Sequence, residues 1–152
     1  MARTIGEGQS LRNYRDLEVW AKAHSLTLAL YRNSQKFPRE EIYGVTSQLR
    51  RAAASIGANL AEGCGRRTNA EFARFVRIAL GSASELDYHL LLSRDLGFLG
   101  DKEFAQALKE LTSVRKMLTS LLNRVQVEVE TKPNSSGGAQ ANGQGPRANG
   151  YL

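Results

Sequence analysis

Cysteine is nearly absent from the chain, since Cys64 is the only one among 152 residues. A single cysteine excludes an internal disulfide and any cysteine-rich metal site. Long apolar runs are also missing, and none approaches the length of a membrane span. Residues 1–10 lack the apolar core of a secretory signal. These absences predict a cytoplasmic protein that does not contact the membrane.

The composition is that of one globular domain with a mild basic excess. Apolar residues make up 41% of the chain, which is enough for a core, and the formal net charge is +6. A positive balance favours nucleic acid or another acidic partner. The excess is spread thinly along the chain, and no run has the density of a DNA-binding arm.

Apolar residues recur every three or four positions in four stretches, a spacing that predicts four helices. Phe37-Pro38 ends the first helix because proline disfavours helical geometry in the residue before it. Asn13 or Asp16 is expected to cap helix one, Thr46 or Ser47 helix two, Thr68 with Glu71 helix three, and Asp101 helix four. Gly63 and Gly65 are expected to end helix two, and Gly97 helix three.

Helices three and four have similar predicted lengths and a short connection, which indicates an antiparallel hairpin. The predicted fold is therefore an all-α, antiparallel up-and-down four-helix bundle over residues 13–129. Residues 1–12 are expected to be flexible. Residues 130–152 are rich in Gly, Asn and Ser without an apolar period, and we expect them to be disordered.

The segment Ser47–Arg67, SQLRRAAASIGANLAEGCGRR, is the most position-specific part of the chain. Ala53, Gly57 and Ala61 recur at every fourth position and form a stripe with almost no side-chain volume. Another backbone can approach such a stripe closely. We therefore expect a close neighbour there, either in the same chain or in a second copy.

The chain resembles a known family over residues 14–125. The resemblance rests on four helices, on this segment in the second of them, and on Ile78-Ala79-Leu80-Gly81-Ser82 and Glu85-Leu86 after it. That family is the bacterial four helix bundle protein family, whose founding members are encoded in intervening sequences of 23S ribosomal RNA genes. The accessory variability protein of diversity-generating retroelements is a related branch. Gly57 stands where many members have proline.

The resemblance implies up-and-down bundles that assemble as ring-like homopentamers. Members of the retroelement branch are very basic and bind a reverse transcriptase and RNA, and the charge of +6 is milder than that branch implies. For the intervening-sequence branch no enzymatic activity is implied.

The residues themselves offer little catalytic chemistry. A di-iron bundle needs Glu-x-x-His on two helices, whereas Glu85 and His89 are four apart and His24 has no glutamate three residues before it. Cys64 lies in no familiar catalytic signature, and Gly63-Cys64-Gly65 lacks the phosphate-loop pattern. We predict no catalytic residue, no metal and no cofactor, with a metal-dependent or thiol enzyme as a remote alternative.

Two groups of cations are the candidate site. Arg50, Arg51, Arg66 and Arg67 either face phosphates or pair with Glu62, Glu85 or Asp87, and pairing is the favoured interpretation because it is how buried charges are tolerated. Cations expected to be solvated and free to contact RNA lie on helix four: Lys109, Arg115, Lys116 and Arg124. The aromatic residues Tyr14, Trp20, Phe72 and Phe75 are expected in the core or in an interface.

These features predict a non-enzymatic, homo-oligomeric scaffold that binds RNA or a protein partner through a basic surface. A pentamer is the assembly that the resemblance implies. The alternative is a structural interaction module with no role in nucleic-acid binding.

Overall fold

The structure, a computed structural model, describes residues 12–131. Within that range the chain forms four α-helices: α1 (Glu18–Asn33), α2 (Val45–Cys64), α3 (Asn69–Asp95) and α4 (Asp101–Thr131). Short 3-10 turns precede α1 and fill the connection from α1 to α2, at Tyr14–Asp16, Ser34–Lys36 and Arg39–Glu41.

The helices are antiparallel, and each packs against its neighbours in the chain, with α1 also packed against α4. The hydrogen bonds between helices show the direction. On α1 and α2, Arg50 contacts Ser34 and Thr27 contacts Ala53, so residue numbers rise on one helix as they fall on the other. The same reversal relates the other packed pairs, as in Arg51–Glu85 with Ser55–Ser82 and in Lys36–Glu103 with Lys22–Ser113. The predicted up-and-down bundle is confirmed.

The apolar stripes of all four helices meet in one core. Its fully buried side chains include Leu26, Leu30, Leu49, Ile56, Leu60, Phe72, Leu86, Leu90, Leu111 and Leu118. Phe72 and Phe75 are buried as expected, whereas Tyr14 and Trp20 are half-buried at the margin of the core. Tyr31, near the end of α1, is 42% exposed.

Two of the predicted helix ends are confirmed. The Thr68 hydroxyl accepts a hydrogen bond from the Glu71 N–H at 3.1 Å and so caps α3. Gly97 follows α3 with a φ of 78°, a conformation that glycine adopts without the steric cost of a Cβ. Both signals are local in sequence, which is why the pattern reveals them.

Other predicted caps are wrong. Helix α2 begins at Val45, and the Glu41 carboxylate accepts the Val45 N–H at 3.1 Å. Thr46 therefore points into the core, where it is 3% exposed and its hydroxyl has no partner among the described residues. Asn13 caps the first 3-10 turn instead of α1.

Gly65 is the C-cap of α2, so a third predicted helix end is confirmed, whereas Gly63 lies inside α2, which continues to Cys64. Asp101, predicted as the cap of helix four, is the first residue of α4. The predicted start of the C-terminal tail falls within the last turn of α4. Residues 1–11 and 132–152, predicted to be flexible or disordered, lie outside the described residues.

Candidate nucleic-acid and assembly surfaces

The small-residue stripe of α2 packs against α1 of the same chain. Ala53 is completely buried, and its carbonyl accepts a hydrogen bond from the Thr27 hydroxyl at 3.1 Å. A Cβ added at Gly57 would lie 3.2 Å from Nε1 of Trp20. The neighbour that the stripe requires is thus Trp20 and its helix, and the stripe by itself does not require a second copy.

Gly63 marks an even closer approach, between α2 and α3. It is buried, and a Cβ there would lie 2.8 Å from Cβ of Phe75 and 3.1 Å from Cδ2 of Phe72. The sequence predicts a helix end at Gly63 because glycine often ends helices. Gly63 lies three residues after Leu60 and seven after Ile56, so it continues the apolar face of α2. This spacing is the signal that identifies Gly63 as a packing residue.

Arg50 joins α2 to the end of α1. Its Nε donates to the Ser34 hydroxyl at 2.8 Å, and Nη2 donates to the Tyr31 carbonyl at 3.3 Å. The guanidinium also lies 4.8 Å from the centre of the Tyr31 ring. Because Ser34 is only 2% exposed, these contacts fix the point where the chain leaves α1.

Arg51 and Arg66 lie in ion pairs with two of the glutamates considered from the sequence. Nη2 of Arg51 donates to Oε1 of Glu85 at 2.9 Å, between α2 and α3. Nη2 of Arg66 donates to Glu62 at 2.8 Å within α2, and its guanidinium lies 4.9 Å from the Phe75 ring centre. Arg67 is exposed and forms no ion pair within residues 12–131.

Arg115 differs from the expectation that it is solvated. Nη1 donates to Oδ2 of Asp87 and Nη2 to the Ser84 hydroxyl, each at 2.9 Å. Asp87, considered as a partner for the α2 arginines, is therefore used by α4. Arg115 follows the core residue Val114 and lies on the side of α4 that faces α3, which the apolar period alone did not reveal.

Four exposed cations occupy the outer side of α4 and are called here the basic stripe: Lys102, Lys109, Lys116 and Arg124. The three lysines are seven residues apart, so they lie on one side of the helix at intervals of about 10 Å. Within the described residues none of the four forms an ion pair. Glu103 and Glu110, which directly follow Lys102 and Lys109 in the sequence, line a cleft with α1, and Lys102 lies at the same cleft.

Glu103 is engaged with a cation of the connection between α1 and α2. Lys36 lies 3.4 Å from its Oε1. A backbone N–H hydrogen bond, together with Lys36, lowers the pKa of the Glu103 carboxyl below its ordinary value. This carboxylate is ionised at neutral pH and directed toward α1, so it leaves Lys109 and Lys116 unneutralised.

The outer side of α3 carries apolar side chains that the sequence analysis did not select. Ile78, Tyr88 and Leu91 are 39%, 59% and 39% exposed. A Cβ added at Gly81, between the first two, would meet no atom within 4 Å. We call this set the α3 apolar face. Its signal in the sequence is weak, because the apolar period of α3 already accounts for the core.

The chemical groups considered for catalysis are Cys64, His24, and the pair of His89 and Glu85. Burial raises the pKa of the Cys64 thiol, which disfavours the reactive thiolate at neutral pH. His24 is stacked on Trp20, while His89 lies 3.6 Å from Glu85. Residues 12–131 contain no group of three or more side chains placed to hold a metal. In the same range no helix combines the length and apolarity needed to cross a bilayer.

Comparisons with known proteins agree with this architecture. The chain matches the family model described as 23S rRNA-intervening sequence protein over residues 15–120. Among solved structures it is similar to a protein of unknown function from the S23 ribosomal protein family of Bacteroides thetaiotaomicron, with 24% identity and a TM-score of 0.64. That match covers 69% of this chain and 95% of the other. A search of curated proteins finds no match.

Proposed function

Because the chain belongs to the 23S rRNA-intervening sequence protein family, as its sequence motif predicted, we propose that it is a non-enzymatic scaffold that binds RNA through the basic stripe. The observation that carries the proposal is the state of Lys109, Lys116 and Arg124, which are exposed and unpaired within the described residues. Lysine and arginine that neutralise phosphates release condensed counterions, and this release drives nucleic-acid binding without sequence preference.

The composition of the stripe suits phosphate binding. The outer positions between its cations carry neutral residues, including Ala105, Thr112, Ser113 and Ser120. The Thr112 hydroxyl donates to the Leu108 carbonyl and the Ser113 hydroxyl accepts from Lys22, whereas Ser120 is exposed and can donate to a phosphate oxygen. Cations repeated every seven or eight residues on one side of α4 attract a polyanion along the helix.

We further propose that the chain self-associates through the α3 apolar face. Exposed Ile78 and Tyr88 beside the open Gly81 offer apolar area into which a second copy can pack. Five copies of a chain with a net charge of +6 would carry about +30, so a ring would strengthen phosphate attraction even if each subunit binds weakly. Sedimentation should give a mass well above 16.7 kDa, and a monomer at all concentrations would end the assembly proposal.

The RNA part is tested by the anisotropy of a labelled RNA over a range of salt concentrations. The affinity should fall steeply with salt, and the double variant Lys109→Glu with Lys116→Glu should weaken binding by at least about tenfold. A matched control, Arg32→Glu with Arg39→Glu, changes the net charge equally at exposed cations outside α4. If both doubles weaken binding equally, net charge and not the stripe is responsible.

The alternative is a protein-interaction module with no nucleic-acid role. It is supported by the engagement of Arg50, Arg51 and Arg66 within the chain, which removes the most distinctive arginines from phosphate binding. An oligomer that binds no RNA at low salt would favour this alternative.

A further inference from the structure

An open groove of about 400 Å³ runs along the outer side of α1 and α2. One wall carries four rings: Tyr14, Trp20, His24 and Tyr31. Trp20 is stacked on His24 with ring centres 4.8 Å apart, and Tyr14 meets Trp20 edge to face at 4.9 Å. Three of the rings thus form a continuous aromatic surface, and Tyr31 lies further along α1 in the same wall.

The floor of the groove is formed by α2 residues with little or no side chain: Ala54, Gly57, Ala58 and Ala61. Ala54 and Ala58 are exposed. No floor side chain is larger than a methyl group, so a planar group can lie against the aromatic wall without obstruction. The small residues of α2 therefore both admit Trp20 and leave open space beside it.

The groove is electrostatically suited to a polyanion. The described residues that line it include no carboxylate. A guanidinium lies at each end, with Arg15 4.8 Å from the Tyr14 ring centre and Arg50 4.8 Å from that of Tyr31. An aromatic centre between cationic ends is the arrangement by which proteins hold single-stranded nucleic acid.

We infer that this groove binds a short single-stranded RNA segment, with bases stacked on Trp20 and Tyr31, phosphates near Arg15, and the positive charge of Arg50, whose N–H donors are used within the chain, at the other end. The inference rests on the proposed RNA binding and adds to it a second contact, distinct from the basic stripe. Trp20 and Tyr31 are eleven residues apart on α1, or about 16 Å at 1.5 Å per residue, which leaves room for a few nucleotides. An apolar peptide fits less well, because Leu28 is the only large aliphatic side chain in the lining.

Trp20 is the single tryptophan of the chain, so its fluorescence reports on this groove alone. Titration with an unlabelled single-stranded oligouridine of about eight nucleotides should quench the fluorescence saturably. A duplex RNA of the same length should not, because its bases are paired and stacked. The variant Ala58→Leu fills the floor at an exposed position, and it should abolish quenching and weaken single-strand binding about tenfold. The control Ala70→Leu makes the same change at an exposed position of α3 and should alter neither.

The outcomes separate this inference from the function on which it rests. Salt-dependent RNA binding without Trp20 quenching overturns the groove inference and leaves the basic stripe intact. If Ala58→Leu changes the sedimentation and the parent protein shows no quenching, the groove binds a second copy of the chain. That result also overturns the groove inference. Absence of any RNA binding removes the proposed function and the inference together. The double variant Lys109→Glu with Lys116→Glu should still show saturable quenching, at a higher RNA concentration. This result supports the groove as a separate site.

Discussion

The arginines of α2 and the basic stripe of α4 carry the same charge in different surroundings. Arg50, Arg51 and Arg66 each donate to an acceptor of the chain at 2.8–2.9 Å. Lys109 and Lys116 extend into solvent from a helix whose nearby carboxylates are directed toward α1. The more distinctive motif therefore stabilises the fold, whereas the less distinctive lysines are available to a partner.

Side-chain chemistry accounts for part of this difference. The guanidinium is planar and has five N–H donors, so one arginine can satisfy a hydroxyl, a carbonyl and a ring at once, as Arg50 does. A lysine ammonium is a compact and strongly hydrated charge that gains less from such a place. The contrast between the two regions can be tested with paired substitutions.

The largest difference is expected from one substitution made in both regions. Ala53→Leu adds volume to a completely buried position of α2 and should lower the free energy of unfolding by about 3 kcal/mol. Ala105→Leu adds the same volume at an exposed position of α4 and should change it by less than about 0.5 kcal/mol. Urea denaturation followed by circular dichroism measures both, and equal costs would contradict the assigned packing.

Removing a cation should also separate the regions. Arg50→Ala leaves the buried Ser34 and the Tyr31 carbonyl without their charged donor and should cost about 2 kcal/mol of unfolding free energy. Lys109→Ala, at an exposed site, should cost less than about 0.5 kcal/mol. If Arg50→Ala is as mild as Lys109→Ala in the same denaturation experiment, Arg50 does not hold α1 to α2.

Two glycines of α2 refine the description of its packing. Gly63→Ala places a Cβ against Cβ of Phe75 and should cost about 1 kcal/mol, after the gain in helix propensity is subtracted. Gly57→Ala meets only Nε1 of Trp20 at 3.2 Å, so the same gain should make it neutral or slightly stabilising. Thermal unfolding of both variants shows which substitution is more destabilising. If Gly57→Ala is the more destabilising one, the closest helix contact of α2 is with α1 and not with α3.

The smallest effect on stability is expected where both residues are exposed. Arg51→Ala breaks an ion pair whose side chains are 65% and 41% exposed, and solvent screening limits the cost to about 0.5 kcal/mol. Lys116→Ala should be equally mild in stability but should reduce the slope of log affinity for RNA against log salt by about 0.9. A reduced slope for Arg51→Ala and an unchanged one for Lys116→Ala would reverse the roles assigned to the two helices.

Local signals in the sequence were sufficient for much of the fold and for some of the site. The apolar period defined four helices, Thr68 defined the start of α3 and Gly97 its end, because each acts within one turn of chain. Lys109, Lys116 and Arg124 could be expected in solvent because they lie opposite the apolar stripe of α4. The same period did not show that Arg115 reaches Asp87, since that pair depends on how α3 and α4 are rotated against each other.

The sequence by itself determined a bundle of amphipathic helices, its family and a small-residue face on α2. Only the tertiary structure decided that Trp20 fills that face, that Gly63 lies at the closest crossing, and that Glu41 caps α2 in place of Thr46. Periodicity records which side of a helix is apolar. It does not record the axial shift and rotation between helices, and these set which donor meets which acceptor and which cations remain free.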